Sequence, residues 1–492
     1  LDYDLVVVGG DRVGIWAAIA ARRLQARVAL VKQGHPTEHP HAKELSTAAL
    51  MQLAQVMDRG LGASRLGVAA ISNNLASSAC DGSSSIVDWT IAQQWLQEVD
   101  RAMLLLQAPA SLAALGIDVV AESGQFAYRP LRFQTPGRVL KSRAYLVVQP
   151  QRSVLPESPG LPTTPHLTPE TIWAWVAASD RPKTLLILGD DPEAIVLGQS
   201  LQRLGFPITL VIPDVLRLLR GDMQAVLWLQ ALLEAEGVTI IPSADIVHIG
   251  TSGGSSSSQD PGGVVLQLKD RILTADAMLV VPASLPAGDA LNLGAVGVRH
   301  GQRGIRHNRR MQTRHRRIYT CHGDQDPILG MYEATIAVQN ALLLPIHKTI
   351  PLAVPHVIGT DPPLASVGLT AQQGIAQYGD RCIILQPSLS LSPTAQLRGE
   401  LTGYCQLIVH QRGKLLGAHM MGIAAPELVT TIALAMHQRH SLMTLATLPC
   451  ATACIQDLLQ QAAEQWLYQR YHPKTGRWNW LETWHYLRRS WG

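Results

Sequence analysis

The chain opens on an unbroken apolar run, Leu5-Val6-Val7-Val8, followed by the turn Gly9-Gly10-Asp11-Arg12-Val13-Gly14 and an alanine-rich stretch from Ile15 to Arg23. A second apolar run, Val28-Ala29-Leu30-Val31, closes the unit. Short apolar runs that each lead into a helix are strands buried on both faces, the pattern of a parallel sheet in an α/β fold. The plan returns from residue 183: Leu185 to Leu188, the turn Gly189-Asp190-Asp191-Pro192-Glu193-Ala194, a helix to Leu204, then Ile208 to Ile212. Two strand–glycine turn–helix–strand units predict two doubly wound α/β domains.

The rest of the chain extends this plan. Its 492 residues suit about three domains of roughly 150 residues each. A proline-rich stretch (Pro150, Pro156, Pro159, Pro162, Pro165, Pro169) separates the two units, Pro351 and Pro355 mark the next boundary, and a tryptophan-rich tail begins at Trp466. The expected organisation is a first domain from 1–150 and 270–345, a second from 151–269, a third from 346–465 and a tail from 466–492. Hydrophobic residues make up 47% and charged ones 16%, as in a soluble globular protein with a large core. The net charge of +4 is too small to make the whole molecule a polyanion binder. Six scattered cysteines without a CxxC pair suggest neither a disulfide framework nor a zinc site. A strand starting this early leaves no room for a signal peptide, and no uncharged apolar run reaches the length of a membrane span. The expected compartment is the cytoplasm, with peripheral membrane contact left to the surface features below.

Residues 354–370, Val-Pro-His-Val-Ile-Gly-Thr-Asp-Pro-Pro-Leu-Ala-Ser-Val-Gly-Leu-Thr, resemble the opening of the dimerisation domain of the pyridine nucleotide–disulfide oxidoreductases. That family includes glutathione reductase, dihydrolipoamide dehydrogenase and mercuric reductase. Leu416-Gly417-Ala418-His419-Met420-Met421-Gly422 with Glu427-Leu428 is similar to a second signature of the same domain, and Ile318-Tyr319 leading to Gly323-Asp324 resembles the returning flavin-domain segment. The resemblance runs in order from residue 1 to about 465. It implies two Rossmann-like dinucleotide-fold domains, an FAD-type domain (1–150 and 270–345) with an inserted NAD(P)-type domain (151–269), and a C-terminal α+β domain (346–465) that forms a two-fold homodimer.

Many positions that would carry the family's chemistry are altered. The resemblance implies a Cys-x4-Cys redox disulfide after the second strand. The segment His35 to Thr47 has none, its two places fall at Glu38 and Lys43, and the first cysteine of the chain is Cys80. The second glycine of a GxGxxG turn lets a pyrophosphate approach the helix N-terminus. Asp11 and Asp191 stand there instead. Two like charges at about 4 Å cost roughly 4 kcal/mol at an effective dielectric near 20, or about three decades of affinity. The same aspartates suit an empty site, since each can cap its helix. The acid that would bind ribose at the end of the second strand is replaced by Lys32 and Ile212, and the Ala-Thr-Gly strand ends by Val148-Gln149-Pro150 and Val281-Pro282-Ala283. The lysine and glutamate that the resemblance places near the flavin ring fall at Thr47 and Val196, and no His–Glu pair occurs in the interface segment Leu448 to Asp457. Gly9, Gly14, Gly323 and Asp324 are the residual cofactor-contact positions. Asp324 reads first as a turn residue that caps the following helix.

Two surface features look gained. Residues 299–317 carry Arg299, Arg303, Arg306, Arg309, Arg310, Arg314, Arg316 and Arg317 with His300, His307 and His315, a patch for an anionic lipid or acidic protein surface. It accompanies no nucleic-acid-binding module. The tail holds Trp466, Trp478, Trp480, Trp484 and Trp491 interleaved with Arg470, Lys474, Arg477, Arg488 and Arg489, a composition suited to a docking surface or a membrane interface. The expected partner-binding residues are Trp478, Trp480, Trp484, Trp491, Arg309, Arg310, Arg316 and Arg317. Cys450 and Cys454, at helical spacing, read as core, and no catalytic residue or metal ligand is expected. These losses point to a non-catalytic pseudoenzyme that binds neither FAD nor NAD(P) and serves as a dimeric scaffold for a protein or membrane partner. The alternative is an FAD-dependent NAD(P)H oxidoreductase that passes electrons directly from flavin to an acceptor.

Overall fold

The computed structural model describes residues 1–33, 42–62, 87–178, 184–189, 191–242, 245–251, 263–287, 289–301, 304–323, 326–422, 424–449, 456–470 and 476–491. It forms two compact units, Leu1–Asp214 with Glu236–Ile350, and Val215–Ala235 with Pro351–Gly492. Glu38, Cys80, Asp190, Arg303, Asp324, Cys450 and Cys454 lie outside the described residues, and the side chains of Lys43 and Trp478 outside the described side chains.

The first unit contains two parallel sheets. Strands β1 (Tyr3–Val8), β2 (Val28–Val31), β3 (Ile117–Val120) and β4 (Ser142–Val148) belong to one; β5 (Leu185–Gly189), β6 (Ile208–Ile212), β7 (Thr239–Pro242) and β8 (Ala277–Val281) form the other; β9 (Ile318–Cys321) returns to the first. Their orders are β9-β4-β1-β2-β3 and β7-β6-β5-β8. β1 lies at the centre of its sheet, pairing Leu5 with Val28 and Val7 with Leu146. Alternation along it sends Leu5 and Val7 to one core and Val6 and Val8 to another, where they join Phe126, Phe133 and Tyr145. Burial on both faces is why these strands read as continuous apolar runs. Helices α1 (Arg12–Arg23) and α3 (Pro192–Arg203) follow the two glycine turns, with α2 (Ala42–Gly62) between them in the chain. Both expected units are present.

The second unit is an antiparallel sheet, ordered His356–Ile358, Leu364–Gly368, Leu415–Met421, Tyr404–His410, Cys382–Leu385. Helices Ala425–His437 and Asp457–Arg470 contribute Val429, Ile432, Leu458 and Trp466 to its core. Trp466, read in sequence as the start of the tail, is only 2% exposed, with the Arg470 guanidinium 4.8 Å from its ring. The helix Val215–Leu218 and the helix Met223–Ala235, within the range expected for the second domain, belong to this unit. The last helix, Gly476–Ser490, carries exposed Trp480 and Trp484 with stacked rings 6.1 Å apart, and Trp491 beyond it is exposed too. Among the described residues no helix is long and apolar enough to cross a membrane.

Candidate functional site

The β1–α1 turn is built by close approach of backbone. Gly9 has φ of +131°, and a Cβ on it would meet Val148 Cβ at 2.8 Å. A Cβ on Gly14 would lie 1.9 Å from the Gly9 carbonyl oxygen, and one on Gly323 would lie 2.6 Å from the Gln149 carbonyl. Strand and helix therefore cross at a distance that only glycine permits, which is the requirement of a dinucleotide cradle. Three of the four residual positions expected from sequence, Gly9, Gly14 and Gly323, are brought together here.

Asp11 is the helix cap. Its Oδ1 accepts from the Gly14 N–H at 2.7 Å, and its Oδ2 lies 3.3 Å from the Cβ that Gly323 lacks. The carboxylate thus faces both glycine segments and uses an amide that a phosphate would otherwise bind. The stem of Lys32, at the end of β2, packs over Gly10, where a Cβ would meet Lys32 Cγ at 2.6 Å. The backbone fits a dinucleotide, whose phosphates the Asp11 carboxylate would oppose.

In the second turn Asp191 caps α3, accepting from Glu193 N–H at 3.0 Å. The Thr47 hydroxyl donates to Glu193 Oε1 at 2.5 Å, while Val196 is buried. The side chain facing Thr47 thus comes one helical turn before the position that alignment suggests. Three cysteines, Cys321, Cys382 and Cys405, are free. Burial, with the Asp11 and Glu333 carboxylates, pushes the Cys321 thiol well above its ordinary value. Burial alone pushes Cys405 up to about 12. Neither is a reactive thiolate at neutral pH.

The arginine patch is partly structural. Arg309, Arg310 and Arg316 are exposed as expected. Arg317 is exposed too and donates to the carbonyls of Arg143 (2.8 Å) and Ser142, pinning β4 beside β9. In the same segment, His307 comes together with His322 and Glu333, a cluster that sequence reading missed although His322 adjoins the Gly323 segment. A hydrogen bond to the Glu333 carboxylate outweighs burial and raises the His322 imidazole above its ordinary value.

The second unit holds a buried polar cluster of its own. His419 Nδ1 is 2.6 Å from Asp222 Oδ2, and His419 Nε2 is 3.1 Å from the Leu369 carbonyl. Asp222 also accepts from the Gln224 and Ala225 N–H groups and from Tyr404 Oη. Burial pushes its carboxyl up, but His419 and these amides outweigh that and leave it below its ordinary value.

Two parallel glycine-turn sheets in one unit and an antiparallel sheet in the other define a two-nucleotide oxidoreductase architecture with an interface domain. The chain belongs to the pyridine nucleotide-disulphide oxidoreductase family: residues 3–341 match that family, and residues 354–462 match its dimerisation domain. Mercuric reductase of Staphylococcus aureus is 26% identical over 451 residues, covering 88% of this chain and 77% of its own. Dihydrolipoyl dehydrogenase of Rhizobium etli is 24% identical, covering 88% and 92%. Among solved structures, the HOCl-induced flavoprotein disulfide reductase RclA of Escherichia coli shares the fold, with a TM-score of 0.73, 20% identity and coverage of 94% and 99%. The matched dimerisation domain supports the expected homodimer.

These matches correct two expectations. A non-catalytic scaffold is overturned, because the relatives are reductases and a dehydrogenase matched along most of the chain. The expectation of no cofactor is overturned with it, because residues 3–341 place the chain in a pyridine nucleotide-dependent family. The physical reason lies in the turn itself. Substitutions at Asp11 and Lys32 change what lines the cradle, but the glycine crossing that forms it is intact.

Proposed function

We propose that this chain is an FAD-dependent NAD(P)H oxidoreductase that passes electrons from flavin directly to an acceptor, without a redox disulfide, and works as a homodimer. The reading rests on the glycine crossing at Gly9, Gly14 and Gly323 in a chain with no cysteine before Cys80. A bound flavin supplies the hydride chemistry, accepting from a nicotinamide and reducing an acceptor such as a quinone or a dye. The backbone from Gly9 to Gly14 and the α1 N-terminus would hold the pyrophosphate. Lys32 would meet the adenosine ribose as a donor, where the family norm is an acceptor. The resemblance puts Thr47 near the flavin ring; Glu193 takes its hydroxyl proton in a hydrogen bond and so fixes the hydroxyl's orientation. In the expected experiment, purified protein reconstituted with FAD binds one flavin per chain and oxidises NADH or NADPH with a quinone acceptor. That activity survives alkylation by iodoacetamide, since no thiol takes part. Failure to take up flavin, or loss of turnover on alkylation, would sink the proposal.

The dimer is assigned to residues 354–462. Light scattering should give a two-chain mass for the full chain and for a variant ending at Thr475. A monomer in both would refute the dimer. The exposed stacked pair Trp480 and Trp484, beside Arg488 and Arg489, supports a further contact of the tail with an anionic membrane surface. Pelleting with phosphatidylserine vesicles should occur at low salt, weaken as salt rises, and be lost in a W480A/W484A variant. Equal pelleting of that variant would remove the tail from the account.

A further inference from the structure

We propose that His307, His322 and Glu333 form a binding site for one divalent transition-metal ion, Zn(II) being the best fit. Each residue offers a ligand atom, and all three atoms lie within 4.8 Å of one another. Two imidazoles and one carboxylate are a tetrahedral zinc set that leaves the fourth position to water. Nothing in this assignment depends on the flavin proposal.

The three side chains are held from three different places. His322 follows β9 directly, Glu333 lies on the helix Pro327–Leu342, and His307 sits on the arginine-rich loop. Glu333 is 2% exposed. Its Oε2 lies 2.7 Å from His322 Nδ1 and also accepts the His322 backbone N–H at 3.0 Å, so the carboxylate is fixed before any ion arrives. The His307 ring stands edge-on to that of His322, with centroids 6.2 Å apart and planes at 89°. The rings do not stack, and their ligand atoms stay within 4.8 Å of each other and of the Glu333 carboxylate.

The loop also orients His307. Its Nδ1 lies 3.1 Å from the Asn308 carbonyl. A carbonyl can only accept, so Nδ1 carries the proton and Nε2 is left with the free lone pair, as outer partners of metal-bound histidines commonly arrange. Asn308 is itself anchored, its Oδ1 accepting from the Arg310 and Gln312 N–H groups at 2.8 and 3.2 Å. Ion binding takes the place of the hydrogen bond between His322 Nδ1 and Glu333 Oε2: the ring proton moves to Nε2, and the freed Nδ1 lone pair and the carboxylate become ligands. His307 is exposed and half-exposed His322 adjoins it, which gives an ion a path in. Arg306, Arg309 and Arg310 on the same loop repel cations held by charge alone. Selection therefore favours a nitrogen-preferring transition ion over Ca(II) or Mg(II).

The test uses untagged full-length protein, stripped with chelator and titrated calorimetrically with Zn(II) alone. One ion per chain is expected, with at least a tenfold loss of affinity in H307A and in E333Q. Zn(II) should raise the thermal midpoint of the wild type and leave that of H307A unmoved. With Cu(II) as probe, electron paramagnetic resonance should show coupling to two imidazole nitrogens, falling to one in H307A. No Zn(II) uptake by the wild type, or unchanged uptake in H307A, overturns the site. Exposed His307 carries this arm even if E333Q fails to fold.

Discussion

Replacing Asp222 by alanine is expected to destabilise the C-terminal unit by about 1–3 kcal/mol, the usual cost of leaving a buried hydrogen-bonding group without its partner. His419 and Asp222 have side chains only 5% and 8% exposed, so water cannot replace the lost partner. The two ring nitrogens of His419 lie beside the Asp222 carboxylate and the Leu369 carbonyl. Without Asp222 the buried His419 ring loses its polar partner, and the caps on Gln224 and Ala225 go too. Asp222→Asn keeps the size and part of the capping, and should cost less. The carboxyl is held below its ordinary value in the folded chain. Its contribution is therefore full above the unfolded-state value and is lost as pH falls through the folded one. Urea unfolding followed through tryptophan emission, with Trp228 stacked on Tyr404 as a local reporter, should show the wild type losing stability in mild acid. The Asp222→Ala curve should be flatter there. Equal stability of the two proteins at neutral pH would contradict the assignment.

That cluster marks the limit of what sequence shows. His419 lies inside a signature legible in the sequence, but no periodicity ties residue 419 to residue 222, which reads as part of a different domain. The sheets were legible because burial on both faces writes a continuous apolar run, as at Leu5 to Val8 and Leu185 to Leu188. The glycine turns were legible because only glycine tolerates the crossing. Long-range polar pairs leave no such mark: Thr47 with Glu193, and Glu333 with His322 and His307, depend on helix rotation and loop return. Trp466 misled for a related reason, since a tryptophan near a chain end reads alike in a tail and in a core helix. The functional error had another origin. Altered side chains at Asp11, Lys32 and Thr47 suggested a lost activity, whereas the backbone that shapes the cradle was retained.

Asp11→Gly is expected to tighten FAD binding by roughly a hundredfold. The carboxylate stands at the α1 N-terminus and accepts the Gly14 N–H at 2.7 Å. A pyrophosphate at that helix end must displace it from the amide and tolerate its charge. At about 4 Å the like-charge term is roughly 4 kcal/mol at an effective dielectric near 20. Asp11 is only half-buried, so solvent trims this to about 2–3 kcal/mol, or roughly two decades. The opposing cost is small, because glycine replaces a cap residue at a loss of a few tenths of a kcal/mol. Asp11→Asn separates charge from space: it keeps the side-chain oxygen and the volume but removes the repulsion, and should recover part of the gain. Raising salt should narrow the gap between wild type and Asp11→Gly by screening the term that divides them. Affinities can be read by flavin fluorescence quenching on protein stripped of cofactor. Equal affinity in the three proteins would mean that the carboxylate does not face the phosphates, and the flavin would have to be placed elsewhere on the turn.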